Sequence, residues 1–236
     1  MHMHSKTVQI IVLFLLPSMV LAQKTNSQKG LYANSAVSIW GSREITVPSP
    51  DGNSIIVVQP PLDPNSDETH HVTVHSNGQV FKTEIGSMVN AEVAWSPDSK
   101  AFFITYSSGG NIGRYHVKVG YVTNTGLHVI EPIANGRKLF APKCFDPEYP
   151  NVGAIKWVGT NSEHLLIAIE VPPHSSCASL GTFRAFKIIL PSGKVVRQYD
   201  QITAKKLFAV DLGEELSGAD DDCIRKPQTC IPPGLK

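Results

Sequence analysis

The chain has 236 residues, of which 42% are hydrophobic and 17% charged, with 18 Gly, 17 Pro, 4 Cys and a formal net charge of +1. That apolar share is enough for a packed core, and the glycine content is far from that of collagen. A charge so close to zero gives no long-range field to gather phosphates or anionic lipid, so nucleic-acid binding is not expected.

Residues 1–22 read as a secretory signal. Lys6 supplies a positive start, Val8 to Leu16 is apolar apart from Gln9, and Pro17-Ser18 breaks the run. Val20-Leu21-Ala22 then offers the residues that a signal peptidase inspects. The apolar stretch falls short of the roughly 20 helical residues that cross a bilayer, so no stable membrane insertion is expected. Cleavage after Ala22 predicts a secreted or periplasmic product.

From Ala36 to Leu190 short alternating runs separated by turn residues dominate. Ala36 to Trp40 is expected to add strands to the last repeat unit or to a partial fourth. Pro50-Asp51-Gly52-Asn53 is a turn that leads into the strand-sized run Ser54 to Gln59. Three hairpins follow the same design. The first is His71 to His75 with Val80 to Ile85 around Asn77-Gly78, and the second is Tyr115 to Val122 with Leu127 to Ile130 around Asn124-Thr125-Gly126. The third is Phe183 to Leu190 with Lys194 to Tyr199 around Pro191-Ser192-Gly193. A helix is predicted over Ala204 to Leu216, with Leu207, Val210 and Leu216 on one face and Gly213 weakening it.

The segments Val47 to Val57 and Ala94 to Ile104 align without a gap, pairing Pro50 with Pro97 and Asp51 with Asp98 at a period of 47. Ile155 to Val158, leading to Leu165 to Ile169, is a third copy with extra residues before it, placed around Lys138 to Asn151. In each bend Pro fixes φ and Asp bonds backbone amides. Trp95 and Trp157, just before the bends, are expected to wedge between neighbouring units. A period of this size with four strands per unit is the signature of a β-propeller blade. The expected fold class is therefore all-β, a series of consecutive four-stranded antiparallel meanders that is β-propeller-like and incomplete or irregular, since three blades fall short of the about four that close a ring. Trp95-Ser96-Pro97-Asp98-Ser99-Lys100 with its apolar strand resembles the repeat of TolB-type, WD40-like propellers, which also builds the propeller domains of exported prolyl-oligopeptidase-type peptidases. The resemblance implies blades, and members are commonly protein-binding scaffolds or gating modules. The chain then divides into a signal (1–22), a repeat domain (23–208) and a cysteine-containing tail (209–236).

Cys144, Cys177, Cys223 and Cys230 all follow the signal, and an even count in an oxidising compartment favours disulfides. Cys223 with Cys230 is the economical staple of an apolar-poor tail, leaving Cys144 for Cys177. Catalytic motifs are missing: there is no Gly-x-Ser-x-Gly elbow, no His-Glu-x-x-His and no Walker loop. His71 and His75 share a strand face about 13 Å apart and cannot chelate one ion by themselves. His70, His116, His128, His164 and His174 form no local ligand set. Ser107 to Gly113 is glycine-rich without a following helix, and Asp220-Asp221-Asp222 lacks calcium-loop spacing, which makes it a solvated acidic run. Arg184, Lys187, Lys194 and Arg197 read as a solvated sheet face. No catalytic, cofactor or metal residue is named.

The leading expectation is a non-enzymatic scaffold that binds a protein or peptide through Pro60 to Thr69, Ser107 to Arg114 and Lys138 to Asn151. An exported hydrolase with dispersed His and Asp, or a regulatory module of a separate enzyme, are the alternatives. An uncovered sheet edge would permit self-association.

Overall fold

The computed structural model describes residues 30–39, 43–60, 70–83, 90–107, 114–141, 149–173 and 177–231. It is built from three antiparallel sheets. The first is a meander of β2 (Ile45–Pro48), β3 (Ser54–Gln59), β4 (His71–Ser76) and β5 (Gln79–Lys82). The second runs β6 (Asn90–Trp95), β7 (Ala101–Ser107), β8 (Tyr115–Thr123) and β9 (Gly126–Ile130), with β1 (Val37–Ile39) added to its β6 edge. The third is β10 (Asn151–Trp157), β11 (His164–Glu170), β12 (Phe183–Ile189) and β13 (Lys194–Asp200). The expected succession of four-stranded meanders is present, and all three predicted hairpins form.

The repeat is visible bond by bond. Ser49 Oγ donates to Asp51 at 2.6 Å and accepts from the Ser54 amide at 3.0 Å. Ser96 Oγ makes the same two bonds, to Asp98 at 2.6 Å and from the Ala101 amide at 3.0 Å. Pro50 and Pro97 thus occupy equivalent bends. The third bend has no Ser-Pro-Asp, yet the Val158 amide closes it onto the His164 carbonyl at 3.0 Å, as the Ser96 amide closes onto Ala101 at 2.7 Å. The bends touch in series: the Asp51 amide donates to Ser99 Oγ, and Ser162 donates to Asp98 through its amide and hydroxyl.

The tryptophans do wedge between units. Trp95 donates its indole N–H to the Val47 carbonyl of the first sheet at 2.9 Å, and Trp157 donates to the Ala94 carbonyl of the second at 3.3 Å. Val47 and Ala94 are one repeat apart, so each sheet leans on its predecessor at the same place. Trp95 packs edge-on against Phe102, and Trp157 meets Phe103. Between the first two sheets lie Val47, Ile56, Val58, Val72, Val74, Val93 and Ile104. Between the second and third lie Phe103, Val117, Val119, Val152, Leu165, Ile167 and Phe186.

Two expectations are corrected. Residues 36–39 add neither to the last unit nor to a fourth: β1 pairs with β6, Val37 opposite Val93 and Ile39 opposite Ala91. The segment just before β1 is held to β6 from inside the core, which fixes the choice of edge; Trp40 lies outside the described residues. The helix does not span Ala204 to Leu216. It starts earlier, as α1 (Gln201–Phe208), because Asp200 caps it by accepting from the Thr203 amide at 2.7 Å. It stops where 211–215 turns to bond the N-terminal segment: Asn34 amide to Asp211 carbonyl, and the amides of Gly213, Glu214 and Glu215 to the carbonyls of Tyr32, Gly30 and Leu31. A short α2 (Glu214–Gly218) follows.

Ala204, Leu212 and Leu216, with Tyr32, cover Ile155, Leu166, Ala168, Phe183 and Ala185 on the far face of the third sheet. No fourth sheet can pack there. At the opposite end Ile55, His71, His75 and Val80 of the first sheet face outward and are exposed, with no other described element packed on them.

Cys223 and Cys230 form the expected disulfide, joining α3 (Asp222–Arg225) to a 3-10 turn over Pro227–Cys230. Cys177 is disulfide-bonded too, whereas Cys144 lies outside the described residues. The acidic run is not simply solvated: Asp221 pairs with Lys205 at 3.1 Å and accepts from Gln201 at 2.7 Å.

Replacing Trp95 by Ala removes an indole from the junction of two sheets and should cost about 3–5 kcal/mol in chemical denaturation. Asp51→Ala, which removes the carboxylate bonds to Ser49 and Asn53 at an exposed bend, should lower the denaturation midpoint far less than Trp95→Ala. Cys223→Ser should speed proteolysis beyond residue 219 while leaving the main melting transition nearly unchanged, since neither cysteine contributes to the inter-sheet core.

Candidate functional site

Chain direction sorts the connections into two kinds. Tight bends at 49–53, 77–78, 96–100, 124–125, 158–163 and 190–193 lie at one end of the sheets. At the other end lie the connections β3–β4, β5–β6, β7–β8, β9–β10 and β11–β12, which are the long ones. The three loops singled out from the sequence belong to this end. Pro60, Ser107, Arg114, Lys138 to Ala141 and Tyr149 to Asn151 are their described parts, the remainder lying outside the described residues.

Beneath that end sits a buried polar cluster that the sequence did not announce. Tyr32, 1% exposed, packs on the far face of the third sheet against β10, where Gly153 makes room: a Cβ there would fall inside the ring. The Tyr32 hydroxyl donates to Glu170 at 2.5 Å, and Glu170 also accepts from Asn151 Nδ2 at 3.2 Å. Asn151 Oδ1 in turn accepts from the Tyr115 amide at 3.1 Å. Both oxygens of Glu92 accept from the Tyr32 amide at 3.2 Å, with the amides of Leu31 and Ala33 also turned to it. Thr105 Oγ1 accepts from the Ala154 amide, tying the two sheets together at the same level. The Tyr115 ring packs at a tilt against Tyr32, their centroids 5.2 Å apart. A cavity of about 10 Å³, lined by Asn90, Glu92, Thr105 and Tyr115 among others, leaves room for about one water.

Glu92 and Glu170 are 3% and 0% exposed. Burial pushes both carboxyls from an ordinary 4.5 up to about 8. For Glu92 the three amides and Thr105 pull the other way, and desolvation wins. For Glu170 the Tyr32 hydroxyl and Asn151 pull down, while Glu215 of α2 adds to the rise. The same neighbourhood raises the phenols: burial is the first cause for Tyr32 and Tyr115, with Glu170 and Glu215 adding for both. Both buried carboxyls are therefore neutral below about 8, and what they do is hold residues 30–36 as a strap linking two sheets to α2.

Of the residues named from sequence, Pro50, Asp51, Pro97 and Asp98 stand at the tight-bend end, with Trp95 and Trp157 just before their bends. Cys177 lies in the β11–β12 connection, where the tail meets it through the Ser179 amide on the Cys230 carbonyl at 2.9 Å. His71 and His75 alternate on the outward face of β4. Arg184, Lys187, Lys194 and Arg197 lie on β12 and β13 but do not share one solvated face: Arg184 alternates with Phe183 and Ala185 and points to the side of Phe186 and Phe140, whereas Lys187 and its cross-strand neighbour Arg197 point to the opposite side. The sequence reading passed over Tyr32, Glu92 and Glu170. The one available signal was a carboxylate inside or ending an otherwise apolar strand, and strand ends normally reach solvent.

No protein-family model matches the chain, and no curated protein matches it. Among the described residues no helix is long and apolar enough to cross a membrane.

Between about pH 4.5 and 8 the native state keeps protons that the unfolded chain has released. Stability from this pair is thus full below 4.5 and is lost as pH rises through 8. Glu170→Gln, which mimics the neutral form, should flatten the fall of melting temperature between about pH 5 and 8 and leave the variant more stable than wild type at the upper limit. Parallel melts that keep the same slope in both proteins would refute this.

Proposed function

We propose that the chain is an exported, non-enzymatic scaffold that binds a protein or peptide through the end of the sheets carrying the long loops. Its sheets are read as blade-like, related to propeller blades in their bends and lateral packing, but forming an open stack. The observation that carries the reading is the segregation of long connections to one end of a base whose middle sheet is buried on both faces. A rigid base of that kind holds variable loops in fixed relative positions. The disulfide between Cys223 and Cys230 and the signal-like start support export.

A hydrolase would need titratable groups open to substrate. The most perturbed carboxyls, Glu92 and Glu170, are instead enclosed and occupied with Tyr32. That favours the scaffold over the dispersed-site enzyme.

Secretion by a native-type host should yield a product beginning at Gln23. Cross-linking of this product in the exported fraction, followed by peptide mapping, should place the partner on residues around 60, 107–114, 138–151 and 171–182. Cross-links confined to the tight-bend end, or turnover of ester or peptide substrates abolished by one His or Asp change, would overturn the proposal.

A further inference from the structure

Three cations at the long-loop end are held in an unusual way. Arg114 precedes β8 and Arg137 lies in a 3-10 turn (Gly136–Lys138) of the β9–β10 connection. Both guanidiniums sit over the ring of Tyr149, their central carbons 4.0 and 5.3 Å from its centroid. Arg184, near the start of β12, sits over Phe140 at 5.0 Å. Phe140 follows Arg137 by three residues, so the third cation neighbours the first two. The ion pairs among the described residues are His116–Glu131, Lys156–Asp211 and Lys205–Asp221, and none includes these arginines.

An aromatic face holds a guanidinium by its plane and leaves its N–H edge unspent. That edge is a fork matched to a carboxylate, which it takes with two parallel hydrogen bonds. Arg114 and Arg184 are exposed, and Tyr149 is 43% exposed between its two cations. The aromatic contacts remove much of the rotamer entropy that a free arginine would lose on binding.

We propose that Arg114, Arg137 and Arg184 form a recognition site for an acidic segment of a protein partner, its Asp or Glu carboxylates taken by the arginine forks and its backbone laid across Tyr149 and Phe140. This rests on the binding reading above and gives it a chemistry. A polymeric polyanion fits less well. Asp200 lies directly opposite Arg184 across β12 and β13, and a net charge of +1 sets up no extended field.

The test uses the mature full-length chain and a fluorescein-labelled octaglutamate peptide, read by anisotropy, with octaglutamine and a sulfated polysaccharide as parallel probes. Octaglutamate should bind, weaken as salt is added, and lose about tenfold or more in affinity with Arg114→Gln/Arg137→Gln. Arg114→Lys, which keeps the charge without the fork, should fall between the two. Lys194→Gln/Lys206→Gln should change nothing, and octaglutamine should not bind. Matching thermal melts of the variants exclude unfolding as the cause. Octaglutamate affinity unchanged in the double variant, no octaglutamate binding to the wild type, or binding of the polysaccharide alone would each overturn the assignment. A cross-linked partner at the long-loop end that binds the double variant as well as the wild type would sink the acidic-segment inference and leave the scaffold reading standing. Absence of any partner at that end would sink the scaffold reading itself.

Discussion

An indole N–H bonded to a carbonyl of the preceding sheet sets the stack. Trp95 reaches Val47 and Trp157 reaches Ala94, and the ring behind each N–H fills the wedge between two twisted sheets. Such a bond fixes distance and rotation together, because the donor is at the end of a large rigid side chain. Everything apolar between the sheets is then packed in a register that the tryptophans define, with each fully buried Ile, Leu or Phe adding roughly 1.5–3 kcal/mol. The bends reinforce the same order, each touching the next through one or two hydrogen bonds.

A stack of sheets has two ends, and this chain treats them differently. The far face of the third sheet is closed by α1, α2 and the strap around Tyr32, in the way a terminal repeat is capped in a repeat protein. The strap demands its own solution, because its backbone amides enter the core with no strand to bond them. Glu92 meets the amides of residues 31–33, and Glu170 meets the Tyr32 hydroxyl. Burying two ionised carboxylates without cations would be prohibitive, so their protonation is tied to the strap's placement. The N-terminal and C-terminal segments thereby depend on each other, through the bonds of 30–34 to 211–215, as well as on the sheets.

The same topology separates stability from recognition. Short bends with Ser-Asp bonding occupy one end and are spent on holding sheets together. The long connections at the other end are free to vary, and the arginines stacked there on Tyr149 and Phe140 are engaged by rings instead of carboxylates. The carboxyls of Glu92 and Glu170 near the core are engaged with the strap, whereas the arginines at the loop rim lie against aromatic rings.

The amino-acid order by itself determined the strands, the hairpins, the repeat of the Ser-Pro-Asp bend, the wedge role of Trp95 and Trp157 and the Cys223–Cys230 pair. Each of these is written in alternation, turn chemistry or short spacing, all of which act within a few residues or repeat along the chain. Tertiary structure alone decided that β1 joins β6, that the predicted helix breaks before residue 214, and that Tyr32, Glu92 and Glu170 meet. Those features rest on contacts between residues 52 to 184 positions apart, and a carboxylate destined for the core carries no local mark that separates it from one bound for solvent. The grouping of Arg114, Arg137 and Arg184 is equally invisible along the chain, since it exists only once two sheets have brought their loops to the same end.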